Sequence, residues 1–173
     1  MKIAKGALLG IGFLAALGSA VPGFAGGNKY AAIEDQRDCG DGDTIDWVGP
    51  IKLWPPNHKF VSTTVAATGS DETEGVTITV TPTVTDAAGG DGGPNHDPDY
   101  TPEGSPAATG TGSATVDLAL RAERSGRGDG RTYTINWSAT FDDGSKTCSS
   151  SQDGQSPFIV EVPHDMRDKH TES

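Results

Sequence analysis

The chain has 173 residues, with 24 acidic side chains against 13 basic ones and a formal net charge of −11. That length supports a single domain with its own core, and the charge argues against nucleic acid or an anionic membrane as partner. Apolar residues make up 34% and aromatic residues 6%, with 24 glycines and 11 prolines, which points to a small β-domain with long turns and away from a helical enzyme.

Residues 1–25 read as a signal peptide. Lys2 and Lys5 form a positive start, Ala7 to Ala20 is a short apolar run, and Gly23-Phe24-Ala25 places small residues at a cleavage site. Gly18 and Ala20 offer a second cleavage position. The apolar run is shorter than the roughly 20 residues of a membrane span, and no second run follows, so no membrane insertion of the mature chain is expected. The expected location is secreted or periplasmic. Removing the segment takes the formal charge from −11 to −13.

Residues 26–50 read as an irregular acidic lead-in. Asp35, Asp38, Asp41, Asp43 and Asp46 crowd into twelve positions that also hold Gly40 and Gly42. Closely spaced Asp and Gly can wrap oxygen ligands around Ca²⁺, so Asp41 and Asp43 are candidate ligands, although no bidentate Glu closes the run. Cys39 lies in the same stretch. It and Cys148 are the only cysteines, and in an exported chain they are expected to form a disulfide.

From Leu53 onward the reading is β. Pro55-Pro56 breaks ladder pairing, so Leu53 to His58 is expected at an edge, bending into a strand from Lys59. Val76, Ile78, Val80 and Val84 alternate with Thr77, Thr79, Thr81, Thr83 and Thr85, and Pro82 within that run requires an edge position or a bulge. The stretch 86–112 has no periodicity and reads as a long loop, where Asp91, Asp97 and Asp99 form a second candidate Ca²⁺ site. Ala114, Val116, Leu118 and Leu120 share one parity, as do Tyr133, Ile135, Trp137, Ala139 and Phe141, and then Phe158, Val160 and Val162. Each run buries one face and wets the other, as antiparallel strands do. Ser125 to Gly130 reads as a hairpin loop and Asp142-Asp143-Gly144 as a turn. Ile78, Val80, Leu118, Leu120, Ile135 and Trp137 are the expected core seam.

Four phrases stand on this framework: Leu53-Trp54-Pro55-Pro56-Asn57-His58-Lys59, Leu120-Arg121-Ala122-Glu123-Arg124-Ser125-Gly126, Arg131-Thr132-Tyr133-Thr134-Ile135, and Val162-Pro163-His164-Asp165. In this order they resemble a bacterial extracellular immunoglobulin-like module. The resemblance implies an antiparallel β-sandwich over residues 51–165, followed by a polar tail at 166–173. It implies an accessory or adhesive role and carries no catalytic activity. The family's acidic G-D-G-D-T run is echoed loosely by Asp91, Asp97 and Asp99, while the matching wording stands earlier, at Gly40 to Thr44.

His58 and His164 belong to the first and last phrases. Two imidazoles without a third fixed ligand are weak grounds for a metal, and a bond from His to turn backbone is the simpler role. Arg121, Glu123 and Arg124 are expected to form a charged ladder or to stack on an aromatic ring. No serine stands in a G-x-S-x-G elbow, and no acid pair stands in a recognisable glycosidase setting. The sequence therefore predicts a secreted, non-catalytic binding or structural module whose partner is an extracellular protein or glycan, with Ca²⁺ as a stabilising ion. Carbohydrate binding through Trp47, Trp54, Tyr100 or Trp137 is the alternative, and a secreted hydrolase stands third.

Overall fold

The computed structural model describes residues 33–86, 98–123 and 130–163. They form ten strands: β1 (Ile33–Gly40), β2 (Asp43–Gly49), β3 (Phe60–Thr68), β4 (Gly75–Asp86), β5 (Tyr100–Thr101), β6 (Ala107–Thr111), β7 (Ser113–Arg121), β8 (Gly130–Phe141), β9 (Lys146–Ser149) and β10 (Phe158–Pro163). The first sheet has the order β1-β2-β3-β7-β5, and the second has β10-β8-β4-β6, with β9 pairing the far end of β8. All pairings between these strands are antiparallel.

Period-two alternation builds the core between the sheets. Ile45, Trp47, Val65, Val116, Leu118 and Leu120 point inward from the first sheet, and Val76, Ile78, Val80, Tyr133, Ile135, Phe158 and Val160 from the second. The six seam residues are all buried, as the parity of their runs requires. Phe158 sits between two indoles, with centroids 5.7 Å from Trp47 and 6.4 Å from Trp137, so one aromatic group spans both sheets. The other face of the second sheet is hydroxyl-rich: Thr77, Thr79, Thr81, Thr83 and Thr85 lie opposite Thr140, Ser138, Asn136, Thr134 and Thr132.

Several sequence expectations change. The described part of the lead-in, from Ile33, is not irregular. Residues 33–49 form the β1–β2 hairpin, and Ile45 and Trp47 belong to the core. The Gly and Asp residues serve its turn, where Gly40, Asp41 and Gly42 have φ of 82°, 56° and 92°, a run that glycine and short polar residues accommodate. The stretch after residue 97 is not one loop, because it contains β5 and β6. The Ser125–Gly130 connection does not close a hairpin: β7 and β8 lie in different sheets, so the chain crosses the sandwich there. Asp142–Gly144, a single 3-10 turn, does join paired strands, β8 and β9.

Pro82 occupies an edge position as expected. Val80 N–H donates to Pro106 O at 2.9 Å, toward β6. The nitrogen of Pro82 points the same way, past the last β4–β6 pair at Thr79 and Ala107, so no ladder bond is lost. The segment before the prolines also pairs: Leu53 N–H donates to Glu161 O at 2.8 Å and Glu161 N–H to Ile51 O at 2.9 Å. Residues 51–53 thus lie along β10 in parallel, and β3 begins at Phe60, one residue after the expected start. Cys39 on β1 and Cys148 on β9 are disulfide-bonded, 109 residues apart in sequence, and tie the two sheets together. The signal segment 1–25, most of the 86–98 stretch, the 124–129 connection and the tail 166–173 lie outside the described residues.

Candidate functional site

Arg131 anchors a charged cluster at one end of the sandwich. It shares the inward parity of Tyr133 and Ile135 on β8 and is 2% exposed. A guanidinium in that position needs a counter-charge, because desolvation of a lone ion costs several kcal/mol, of the order of 5. Asp99 supplies the counter-charge as an ion pair. The Asp99 segment is held in turn by β7: Arg121 N–H donates to Asp99 O and Arg121 Nε to Pro98 O, both at 2.9 Å. The Tyr133 hydroxyl lies 2.7 Å from Arg121 O and 3.1 Å from Asp99 O, so its one proton is shared between two carbonyls. Burial pushes the Tyr133 phenol up to about 12, with the Arg131 guanidinium opposing part of that rise.

Arg121 meets an aromatic ring and an acid. Its guanidinium lies over the Phe60 ring, 4.7 Å from the centroid, and its Nε is 3.7 Å from Glu123 Oε2. Glu123 is 4% exposed, and its Oε1 is 3.4 Å from His58 Nδ1. His58 takes a left-handed conformation, φ 61°, and its N–H donates to Ala122 O at 3.0 Å, while Ala122 N–H donates to Lys59 O at 2.8 Å. Phe60 pairs with Arg121, so the L-W-P-P-N-H-K and L-R-A-E-R-S-G phrases meet across the β3–β7 ladder. Arg131 and Tyr133 bring the third phrase to the same place. Pro163 of the fourth pairs with Gly130. Arg124 and His164 lie outside the described residues.

The acidic run at 35–46 holds cations of its own chain. Lys146 Nζ donates to Asp41 Oδ2 at 3.0 Å, to Asp43 Oδ2 at 2.7 Å and to Gly40 O at 2.7 Å. Asp43 is 2% exposed and also accepts from Ser70 N–H at 2.8 Å. Burial alone raises the Asp43 pKa, but Lys146 and Ser70 together hold it below the ordinary carboxylate value. The Asp43 hydrogen bond, against some desolvation, raises Lys146. Asp35 pairs with Arg37, Asp38 accepts from Gly40 N–H, and Asp46 accepts from the Gln36 amide. Among the described residues no three metal-ligating side chains converge. Asp99, the third Ca²⁺ candidate described, faces Arg131 instead, and Asp91 and Asp97 lie outside the described residues.

The aromatic candidates separate. Trp47 and Trp137 are buried, with indole N–H groups donating to Gly49 O at 3.1 Å and Ser156 O at 3.3 Å. Trp54 and Tyr100 are partly exposed. Trp47 and Trp137 therefore belong to the core, and of the four only Trp54 and Tyr100 reach the surface.

Sequence reasoning missed Arg131, Lys146 and Glu74. Glu74 is 7% exposed and accepts from Asp142 N–H at 2.9 Å through Oε1, while Oε2 has no hydrogen-bond partner among the described residues. Gly69 makes room for it, since a Cβ there would come within 2.4 Å of Oε2. A signal existed for Arg131 alone: it is a charged residue on the apolar parity of its strand. Comparison of the chain with protein-family models, with curated proteins and with solved structures finds no match.

Proposed function

We propose that the chain is an exported, non-catalytic β-sandwich that works outside the cytoplasm as an interaction or structural module. The observation that carries this reading is the use made of its buried charges. Arg131, which meets the partly exposed Asp99, and Glu123, Asp43 and Glu74 are directed at strand and turn neighbours, where they fasten segments of the two sheets. The disulfide between β1 and β9 and the signal-like start support export. The four phrases shared with extracellular immunoglobulin-like modules support an adhesive or accessory task.

The test is a screen of the disulfide-bonded chain against a glycan array and immobilised extracellular proteins, beside a panel of ester, glycoside and peptide substrates. The expected result is retention of a protein or glycan ligand without turnover. Turnover that copurifies with the chain and is lost in Glu123→Gln or Glu74→Gln, with the fold intact, would contradict the reading. A glycan signal abolished by Trp54→Ala would assign the task to carbohydrate.

A further inference from the structure

Sheet edges that stay exposed invite further pairing, and native sheets blunt them with charge, shortness or cover. Three edges here are treated in that way. β1 carries Asp35, Arg37 and Asp38, and the Gln155 amide donates to Asp38 O at 2.7 Å. β5 has two residues and is followed by Pro102. β10 is paired by residues 51–53, and β9 beside it is tied to β1 by the disulfide.

The β6 edge is different. Its sequence, Ala-Ala-Thr-Gly-Thr, has no charge and no proline, and its register with β4 is unbroken. Pro106 O accepts from Val80 N–H, and Gly112 N–H donates to Glu74 O at 2.7 Å, so the even-numbered positions face β4. By the alternation of an antiparallel ladder, Ala107, Thr109 and Thr111 direct their N–H and C=O groups the other way. Among the described residues no strand pairs with them there. Their side chains are exposed, while Ala108 packs on the core and Gly110 gives its side-chain space to Ser113 O.

Acids stand at both ends of this edge. Glu103 precedes it, and Asp71 and Glu72 adjoin its far end, where a Cβ on Gly112 would lie 2.9 Å from Glu72 O. All three are exposed. A second copy docked antiparallel would bring Glu103 of one against Asp71 and Glu72 of the other, a like-charge arrangement that disfavours it.

We propose that β6 is a docking edge for an extended segment of another protein, uncharged and β-branched over the five residues that match β6, with Lys or Arg on both flanks. This rests on the reading of the chain as an interaction module and names the class of its partner. Main-chain bonds to Ala107, Thr109 and Thr111 provide the attachment, and the flanking acids provide selectivity.

The probe is the synthetic peptide Lys-Lys-Thr-Val-Thr-Val-Thr-Lys-Lys, titrated into the isotope-labelled, disulfide-bonded chain and followed by heteronuclear NMR. Shifts and slowed exchange are expected at the Ala107, Thr109 and Thr111 amides. Affinity should fall with added salt and should be at least about tenfold weaker when Glu replaces every Lys. Thr109→Pro removes an outward N–H without touching the β4 ladder and should weaken binding about tenfold. Thr109→Val, which keeps the outward amide, the β-branched shape and the local charge, should bind within about twofold of the parent and so separates a lost amide from a changed side chain. Binding indifferent to flank charge, shifts confined to other surfaces, or dimerisation of the chain through these amides would overturn the proposal. Retention of another ligand with β6 silent would leave the module reading standing and remove only the edge. Catalytic turnover would remove the module reading itself.

Discussion

The Tyr133 hydroxyl lies 2.7 Å from the carbonyl oxygen of Arg121, and this bond joins β8 of one sheet to β7 of the other. It stands where the chain crosses the sandwich between Arg121 and Gly130. The crossing needs such a fastening, because no ladder pairs the two strands. Arg131 and Asp99 close the same corner from the side, so one phenol and one ion pair hold three segments distant in sequence.

Tyr133→Phe keeps the ring and deletes the hydroxyl. The expected loss in denaturant melts at neutral pH is about 0.5–1.5 kcal/mol, since each carbonyl keeps a second donor, Arg121 N–H on Asp99 O and Glu123 N–H on Arg121 O. The phenol also sets an alkaline limit. Its pKa is raised from 10.0 to about 12 in the folded chain, so the neutral form is favoured by folding. That contribution is fully present below pH 10.0 and is lost as pH rises through 12. It amounts to about 2–3 kcal/mol. Tyr133→Phe should lack this limb, and parallel alkaline slopes in the two proteins would refute the assignment.

Ile78, Leu118 and Ile135 are buried in the seam between the sheets. Truncating any one to Ala should cost about 2–5 kcal/mol. Thr79→Ala and Thr134→Ala, on the outer face, should cost about 0.5 kcal/mol or less. Equal losses in the two groups would mean that the inward parity is wrong.

The strands with sustained alternation were legible in the sequence, because β4, β7, β8 and β10 each carry three or more apolar residues at spacing two. β1 was not, since Glu34 to Asp38 offers no apolar side chain to a periodicity argument, and Ile45 and Trp47 of β2 were masked by the surrounding Asp and Gly. At Gly40 to Asp43 a Gly-Asp-Gly turn and an oxygen-ligand loop have the same composition, and the cation that meets the carboxylates there, Lys146, is 103 positions from Asp43. Sheet membership was illegible for a similar reason. A glycine-rich connection between two alternating runs looks like a hairpin whether or not its strands pair. Of the cluster at Arg121 and Glu123, the phrases were visible, but their convergence on Asp99 and Tyr133 depends on contacts far apart in sequence.

Lys146 on the Asp41 and Asp43 carboxylates gives a prediction for acid and for calcium. The Asp43 pKa is lowered from 3.8, so the pair's contribution is present above pH 3.8 and is lost as pH falls through the lower folded value. Asp43→Asn should flatten that acid limb in pH-dependent melts. Millimolar Ca²⁺ should shift the melting midpoint no more than Mg²⁺ at matched ionic strength, relative to EDTA. A Ca²⁺-specific rise that survives Asp41→Asn and Asp43→Asn would direct attention to Asp91 and Asp97.

The disulfide closes a loop across both sheets. In the chain-entropy model, replacing Cys39 and Cys148 by Ala costs about 4–5 kcal/mol for a loop of roughly 100 residues. Hydrogen exchange should show the loss first in β1, the edge strand that the bond holds. A midpoint unchanged by the double substitution would show that the remaining contacts, including Lys146 on Asp41 and Asp43, suffice.

Every extracellular role assigned to this chain depends on its leaving the cytoplasm. The measurement is fractionation of cells expressing the full chain, with thiols alkylated at lysis, followed by intact mass of the purified protein. The account predicts a protein outside the cytoplasm, beginning at Gly26 or Val21, with neither Cys39 nor Cys148 alkylated until a reductant is added. A cytoplasmic protein that keeps residues 1–25 and carries two alkylated cysteines would contradict it.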